Sequence, residues 1–139
     1  GVTSRSAKSS SRIAKGPAPS SFREDGFERK GSEVKMTTEY KNRLIGDDLT
    51  KTLQDAKAEP NIDKATGRLR GFRVTRIREN SIYLKTGLQN DDIVEEINGN
   101  ALTSVAGAMN LLNSLRSENS IEIRVVRNGS PMTFSIGVD

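Results

Sequence analysis

A chain of 139 residues has room for one domain of about a hundred residues and a tail. It contains no cysteine and no histidine, which excludes a disulfide framework, thiolate metal ligands and every histidine-dependent catalytic triad. No run approaches the roughly 20 apolar residues that span a bilayer. The net charge of +4 is confined to residues 1–35, where eight Lys and Arg face four Asp and Glu, and the remainder balances fourteen against fourteen. The segment expected to fold is therefore neutral and lacks a basic stripe interleaved with aromatics, which argues against nucleic acid as a partner.

Residues 1–21 are rich in Ser, Lys and Ala and carry Pro17 and Pro19. Such a composition buries too little to offset its ordering entropy, so a disordered basic linker is expected. We extend that linker to residue 36, with a small hairpin over 27–36 as its one ordered remnant: Phe27-Glu28-Arg29 and Val34-Lys35-Met36 flank Lys30-Gly31-Ser32-Glu33. Thr37 or Thr38 suits the N-cap of a helix that carries Tyr40, Leu44 and Ile45 and stops at Gly46. Asp47 or Asp48 caps a second, with Leu49, Leu53 and Ala56 on one face, ending before Pro60. These two short helices, over 37–60, precede the domain proper, 61–139. Asn61 to Leu69 reads as a strand with a loose turn at Asp63-Lys64-Ala65-Thr66-Gly67, followed by a β-rich run, Gly71-Phe72-Arg73-Val74-Thr75-Arg76-Ile77, that opens on glycine.

The pattern is densest from Ser81 to Gly99. Ser81-Ile82-Tyr83-Leu84-Lys85-Thr86 is one helical turn's worth of residues, and Gly87 supplies the left-handed backbone that closes a helix. Asn90, Asp91 and Asp92 suit a turn, since their short side chains bond nearby backbone N–H groups. Strict alternation through the next strand buries either Glu95, in phase with Ile93 and Ile97, or Glu96, in phase with Val94. A bulge near Glu95-Glu96 removes the conflict by turning Val94 and Ile97 to one side. Asn98-Gly99 then predicts a two-residue type I′ turn into Ala101-Leu102.

Beyond it, Thr103 or Ser104 caps a long helix in which Val105, Ala108, Met109, Leu111, Leu112 and Leu115 recur at spacings of three and four. That apolar face is wider than one contact needs. Ile121 to Val125 and Met132 to Val138 alternate as half-buried strands joined across Asn128-Gly129. Strands that pack with one long helix make a small α+β partial barrel of five to six strands.

Gly71-Phe72-Arg73-Val74, the run from Ser81 to Val94, Ile97-Asn98-Gly99 and the long helix together resemble a bacterial PDZ domain, over about Asn61 to Asp139. The usual Gly-Asp of the loop stands here as Asp91-Asp92, so a less strained turn is expected. Ser81 to Gln89, the two helices ending in Ala56-Lys57-Ala58-Glu59-Pro60 and the close of the sequence after the last strand resemble more closely the inner-membrane protein C of the type II secretion system (general secretion pathway protein C family). That resemblance implies a membrane-anchored parent on the periplasmic side of the bacterial inner membrane. Its partners would be secreted protein substrates, the outer-membrane secretin and other secretion components.

The resemblance also implies a mechanism, the addition of an extended peptide as a strand beside the Gly71–Ile77 edge. The expected groove comprises Gly71, Phe72, Arg73 and Val74, with Val105, Met109 and Leu112 at i, i+4 and i+7 across it. Backbone N–H groups around Gly71, Phe72 and Arg73 would receive a terminal carboxylate, with Arg70 and Arg73 as a charged rim. Periodicity alone leaves Val105, Met109 and Leu112 open between groove wall and core, and Phe72 and Val74 are expected to turn their side chains into the core. Arginines 68, 70, 73, 76 and 78 form either a positive rim or a solvated strand face. Asp91, Asp92, Glu95 and Glu96 lack the spacing of a calcium loop, so neither a metal nor a cofactor is expected. No local Ser-Lys nucleophile motif appears, so the reading is of a non-catalytic module. The alternative is the substrate-presenting PDZ domain of a periplasmic protease.

Overall fold

The computed structural model describes Ile13 and residues 20–139; the disorder expected of the first residues falls outside these. Three short strands come first, β1 (Ser21–Glu24), β2 (Phe27–Lys30) and β3 (Glu33–Met36), followed by helices α1 (Thr38–Ile45) and α2 (Leu49–Gln54). Strands β4 (Lys57–Ile62) and β5 (Leu69–Thr75), the short helix α3 (Ile82–Thr86), β6 (Asp92–Ile97) and β7 (Asn100–Ala101) lead into α4 (Val105–Ser114). A 3-10 turn over Leu115–Ser117 extends α4, and β8 (Ser120–Arg127) and β9 (Ser130–Val138) complete the order. From residue 37 onward the succession of helices and strands is the expected one. One open sheet runs β1-β2-β3-β9-β8-β6-β5-β4, with β7 paired to β6. It has nine strands rather than five to six because the N-terminal segment joins it.

Local chemistry accounts for most boundaries. Thr37 caps α1 by accepting from Tyr40 N at 3.1 Å, Ser81 caps α3 through Leu84 N at 3.3 Å, and Ser104 caps α4 through Gly107 N at 2.9 Å. Gly87 ends α3 at φ +109°, donating to Leu84 O, and a Cβ there would stand 2.9 Å from the Phe134 ring. Asn98 and Gly99, at φ +52° and +79°, turn β6 into β7, and Asn128 and Gly129, at +52° and +83°, turn β8 into β9. The expected bulge is present, with Val94 opposite Val125 but Glu96 opposite Arg124, so that Glu95 is the extra residue.

Two expectations about where elements begin and end are corrected. Residues 21–36 are integral strands, not linker: the β2–β3 hairpin covers the expected 27–36, β1 adds to it, and β3 pairs in parallel with β9. Phe27 and Val34 are each 2% exposed in a core with Met36, Tyr40, Ile97, Leu102, Ile121, Ile136 and Val138. The segment looked polar because its charges are satisfied internally. Buried Arg29 donates through Nε to Lys85 O at 2.6 Å and through Nη1 to Gly31 O at 3.0 Å. Glu24 accepts from the Tyr40 hydroxyl at 2.6 Å and the Lys85 ammonium at 2.9 Å. Burial raises the Glu24 carboxyl, but those two donors outweigh it and hold the group below its ordinary value, while burial and the bond to Glu24 push Tyr40 up.

The second correction is at the helix-to-strand boundary. α2 stops at Gln54 and residues 57–62 form β4, where a helix reaching to Pro60 was expected. Proline lacks the N–H a helix interior requires, and an edge strand tolerates it. Tyr83 holds α2 in place by donating to Thr52 O at 2.6 Å, and burial, then the charge of Asp55, pushes its hydroxyl up to about 12.

The loop before β6 is also more strained than expected. Asp91 adopts φ +76°, the left-handed region in which glycine is at ease. Asp92, 1% exposed, takes a bidentate pair from Arg127 at 2.9 and 2.7 Å and accepts from Gln89 N at 2.9 Å. Asp91→Gly is expected to stabilise by about 0.5 kcal/mol, the left-handed strain relieved less the added chain entropy, seen as a rise in Tm. Phe27→Ala is expected to cost about 3 kcal/mol in chemical denaturation, where a side chain in a disordered linker costs nothing.

Candidate functional site

A strand can receive a ligand only along an edge that nothing already occupies, and β5 has none. It pairs antiparallel with β4 through Lys57↔Thr75, Ala58↔Val74, Glu59↔Arg73 and Pro60↔Phe72, and with β6 through Phe72↔Val94, Arg73↔Ile93 and Val74↔Asp92. The edge expected to bind, Gly71–Ile77, is thus interior. Among the described residues the free edge belongs to β4, the terminal strand on that side of the sheet, and Ile13 bridges Arg78 just beyond its start.

Gly71 serves packing rather than ligand capture. Its N–H donates to Leu102 O at 2.9 Å, so it is not free for a carboxylate. It lies at φ +80°, and a Cβ there would stand 2.5 Å from Val94 O and 3.1 Å from Glu95 Cα. Between the pairs Pro60↔Phe72 and Ile62↔Leu69 the register shifts, placing the extra residue on β5 at Arg70-Gly71. Phe72 packs against the core and Val74 lies buried in it, as expected of their side chains.

Of the expected charged rim, Arg70 is engaged by the chain's own carboxylates, Glu95 at 3.3 Å and Asp63 at 3.9 Å. Glu95 also meets Arg124 at 3.8 Å, with its side chain only 11% exposed. Arg73 is exposed on the sheet face. At the start of β4, Lys57, which pairs with Glu59 at 3.7 Å, Arg76 and Arg78 line a cavity of about 310 Å³ with Gln54, Ala56 and Ile13. Arg76 and Arg78 were visible among the five arginines, but Lys57 was not placed beside them because its strand had been read as the end of a helix.

Helix α4 keeps Val105, Met109 and Leu112 out of the core. Ala108, Leu111 and Leu115 pack on the core with Phe72 and Ile123. Val105, Met109 and Leu112 are 57%, 55% and 44% exposed, an apolar stripe adjoining the buried one. No helix among the described residues is long and apolar enough to cross a membrane.

A twisted sheet ending in an open edge strand, with one long helix whose apolar arc exceeds its core contact, is the architecture of a peptide-recognition module. The family model of the PDZ domain matches residues 31–138, and the chain belongs to the PDZ domain family. β1 and β2 lie before the matched span. Among solved structures, the fold is similar to the PDZ domain of EpsC from Vibrio cholerae, at a TM-score of 0.54 and 19% identity over 71% of this chain and 92% of that one. It is also similar to the PDZ domain of the pullulanase C protein of the type II secretion system from Klebsiella pneumoniae, solved in complex with fatty acid, at a TM-score of 0.46 and 23% identity over 64% and 98%. The HtrA3 PDZ domain bound to a phage-derived ligand aligns at a TM-score of 0.46 and 22% identity over 60% and 80%. No curated protein sequence matches the chain.

Gly71→Ala is expected to destabilise the fold by about 3 kcal/mol, combining left-handed strain with a clash against fixed backbone; a denaturation curve that stays put would show that the bulge can move aside.

Proposed function

We propose that the chain is a non-catalytic recognition module that binds extended segments of other proteins along the open edge of β4, with Val105, Met109 and Leu112 as its apolar wall. The observation that carries this reading is the pairing pattern: β4 ends the sheet, and α4 leaves three large apolar side chains uncovered. Main-chain hydrogen bonds supply affinity at such an edge and side-chain contacts supply selection. Lys57, Arg76 and Arg78 put positive charge at the start of the strand, where a segment ending in a carboxylate finds a complement.

We place the module in an inner-membrane protein C component of a type II secretion machine, on the periplasmic side of a membrane-anchored parent. The run from Ser81 to Gln89 and the helix pair α1–α2 ahead of β4 support that placement. Its ligands are then secreted proteins, the outer-membrane secretin or other secretion components. One added strand and a shallow apolar wall give modest affinity, which suits a machine that must release what it holds. Met109→Trp in the parent is expected to slow export of at least some substrates while the purified domain keeps its Tm within a few degrees. Normal export of every substrate would remove the secretion role. Undiminished capture of peptides from a random library by the variant would remove the groove.

A further inference from the structure

One main-chain hydrogen bond on the far side of β5 fixes which groups of β4 face the open edge. Val74 O accepts from Asp91 N at 2.8 Å, so Val74 points at β6 and its neighbours Arg73 and Thr75 point at β4. The bonded pairs are then Lys57↔Thr75 and Glu59↔Arg73, and the outward groups belong to Ala58 and Pro60. Ala58 offers both an N–H and a C=O. Pro60 offers only a C=O. Past it, the register shift before Ile62 bends the strand, and the Asn61 amide ties it inward by donating to Arg70 O at 3.1 Å.

We propose that Pro60 limits what this edge accepts: a short apolar segment bonded in full only opposite Ala58, and neither a long continuous strand nor the β4 edge of a second copy. The inference rests on the reading of β4 as the binding edge and specifies its ligand. A strand laid along β4 donates to and accepts from Ala58, then donates to Pro60 O, and its next carbonyl meets the proline ring where a donor is needed. A carbonyl shielded there without a partner opposes lengthening, and proline on an exposed edge is a recognised block to sheet-to-sheet growth. Side chains must then supply the remaining affinity. Helix α4, with no charged residue from Val105 to Ser114, presents an apolar surface for them.

The test compares the wild-type chain with Pro60→Ala, which restores the missing donor, and Ala58→Pro, which removes the one full rung while leaving the bonds of Lys57 and Glu59 to β5. Circular dichroism confirms that each variant is folded. The probes are a fluorescent pentapeptide, Ser-Thr-Val-Leu-Val, and a ten-residue version extended at its N-terminus. Wild type is expected to bind both equally. Pro60→Ala should bind the longer one about fivefold to tenfold more tightly, the value of one added hydrogen bond, and self-associate in sedimentation; Ala58→Pro should bind neither. A length-dependent gain already present in wild type overturns the proposal, as does a Pro60→Ala variant that stays monomeric and gains nothing from length. If neither peptide binds wild type or Pro60→Ala, the groove reading itself fails, and sedimentation alone then decides whether Pro60 guards the edge: self-association of Pro60→Ala upholds that role, and a monomer overturns it.

Discussion

Glu95 is one residue too many for β6, and the fold is arranged to house it. The bulge pushes backbone toward β5, where only a residue without a Cβ leaves room, and Gly71 occupies that point. Leu102 then fastens both sides, donating to Glu95 O at 2.8 Å and accepting from Gly71 N at 2.9 Å. Because Leu102 lies two residues before the Ser104 cap, the same clasp anchors the start of α4 against the sheet. The Glu95 carboxylate, nearly enclosed, is held between Arg70 and Arg124. Were the bulge ironed out, Ile97 and Val94 would no longer face one core, and α4 would lose its fixed origin.

Around this clasp, buried charges join elements far apart in sequence. Arg127 reaches the carboxylate of Asp92 and the carbonyl of Gly87, tying the β8–β9 turn to the loop before β6. Lys41, 7% exposed, donates to Arg116 O at 2.8 Å and Glu118 O at 2.7 Å, so α1 caps the far end of α4. Arg29 does the same for the C-terminus of α3. Each cation meets carbonyls left over at a helix end, where the backbone dipoles favour positive charge. Removing one such partner leaves desolvated groups unpaired, a larger loss than the bond itself contributed.

Apart from Ala56–Pro60, the elements from Thr37 to Val138 are legible because local signals and tertiary packing agree: Ser81 and Ser104 cap helices, Gly87 closes one, two Asn-Gly pairs make hairpins, and the carboxylates of Glu95 and Glu96 betray a bulge. What escaped were properties of pairing. Phe27-Glu28-Arg29-Lys30 suggests a local hairpin but not its place in the main sheet, since Arg29 is buried by bonds to the carbonyls of Gly31 and of Lys85, the latter 56 residues away. The binding edge was assigned to the strand with the strongest β signal, Gly71–Ile77, yet strong β-formers suit interior strands flanked on both sides. The weak strand, Lys57–Ile62, with charges and a proline, has the composition of an edge. Pro60, eleven residues ahead of Gly71, is itself the signal of such an edge as well as of a helix end.

The place of β9 has a consequence for how the molecule comes to be folded. It lies between β8 and β3, pairing antiparallel with the one and parallel with the other. Val34 and Ile136, opposite each other in that parallel pair, are separated by nearly the whole described chain. The second edge of β3 therefore has no partner until residues 130–138 exist. A nascent chain lacking them presents the inner edge of β3, with Phe27, Val34 and Met36 uncovered, to whatever chaperone or aggregate is at hand. Such distant pairing also slows folding, because a large loop must close before the contact is gained. The two ends of the sequence thus depend on a single strand, and a mutation in β9 reaches both β8 and the early hairpin.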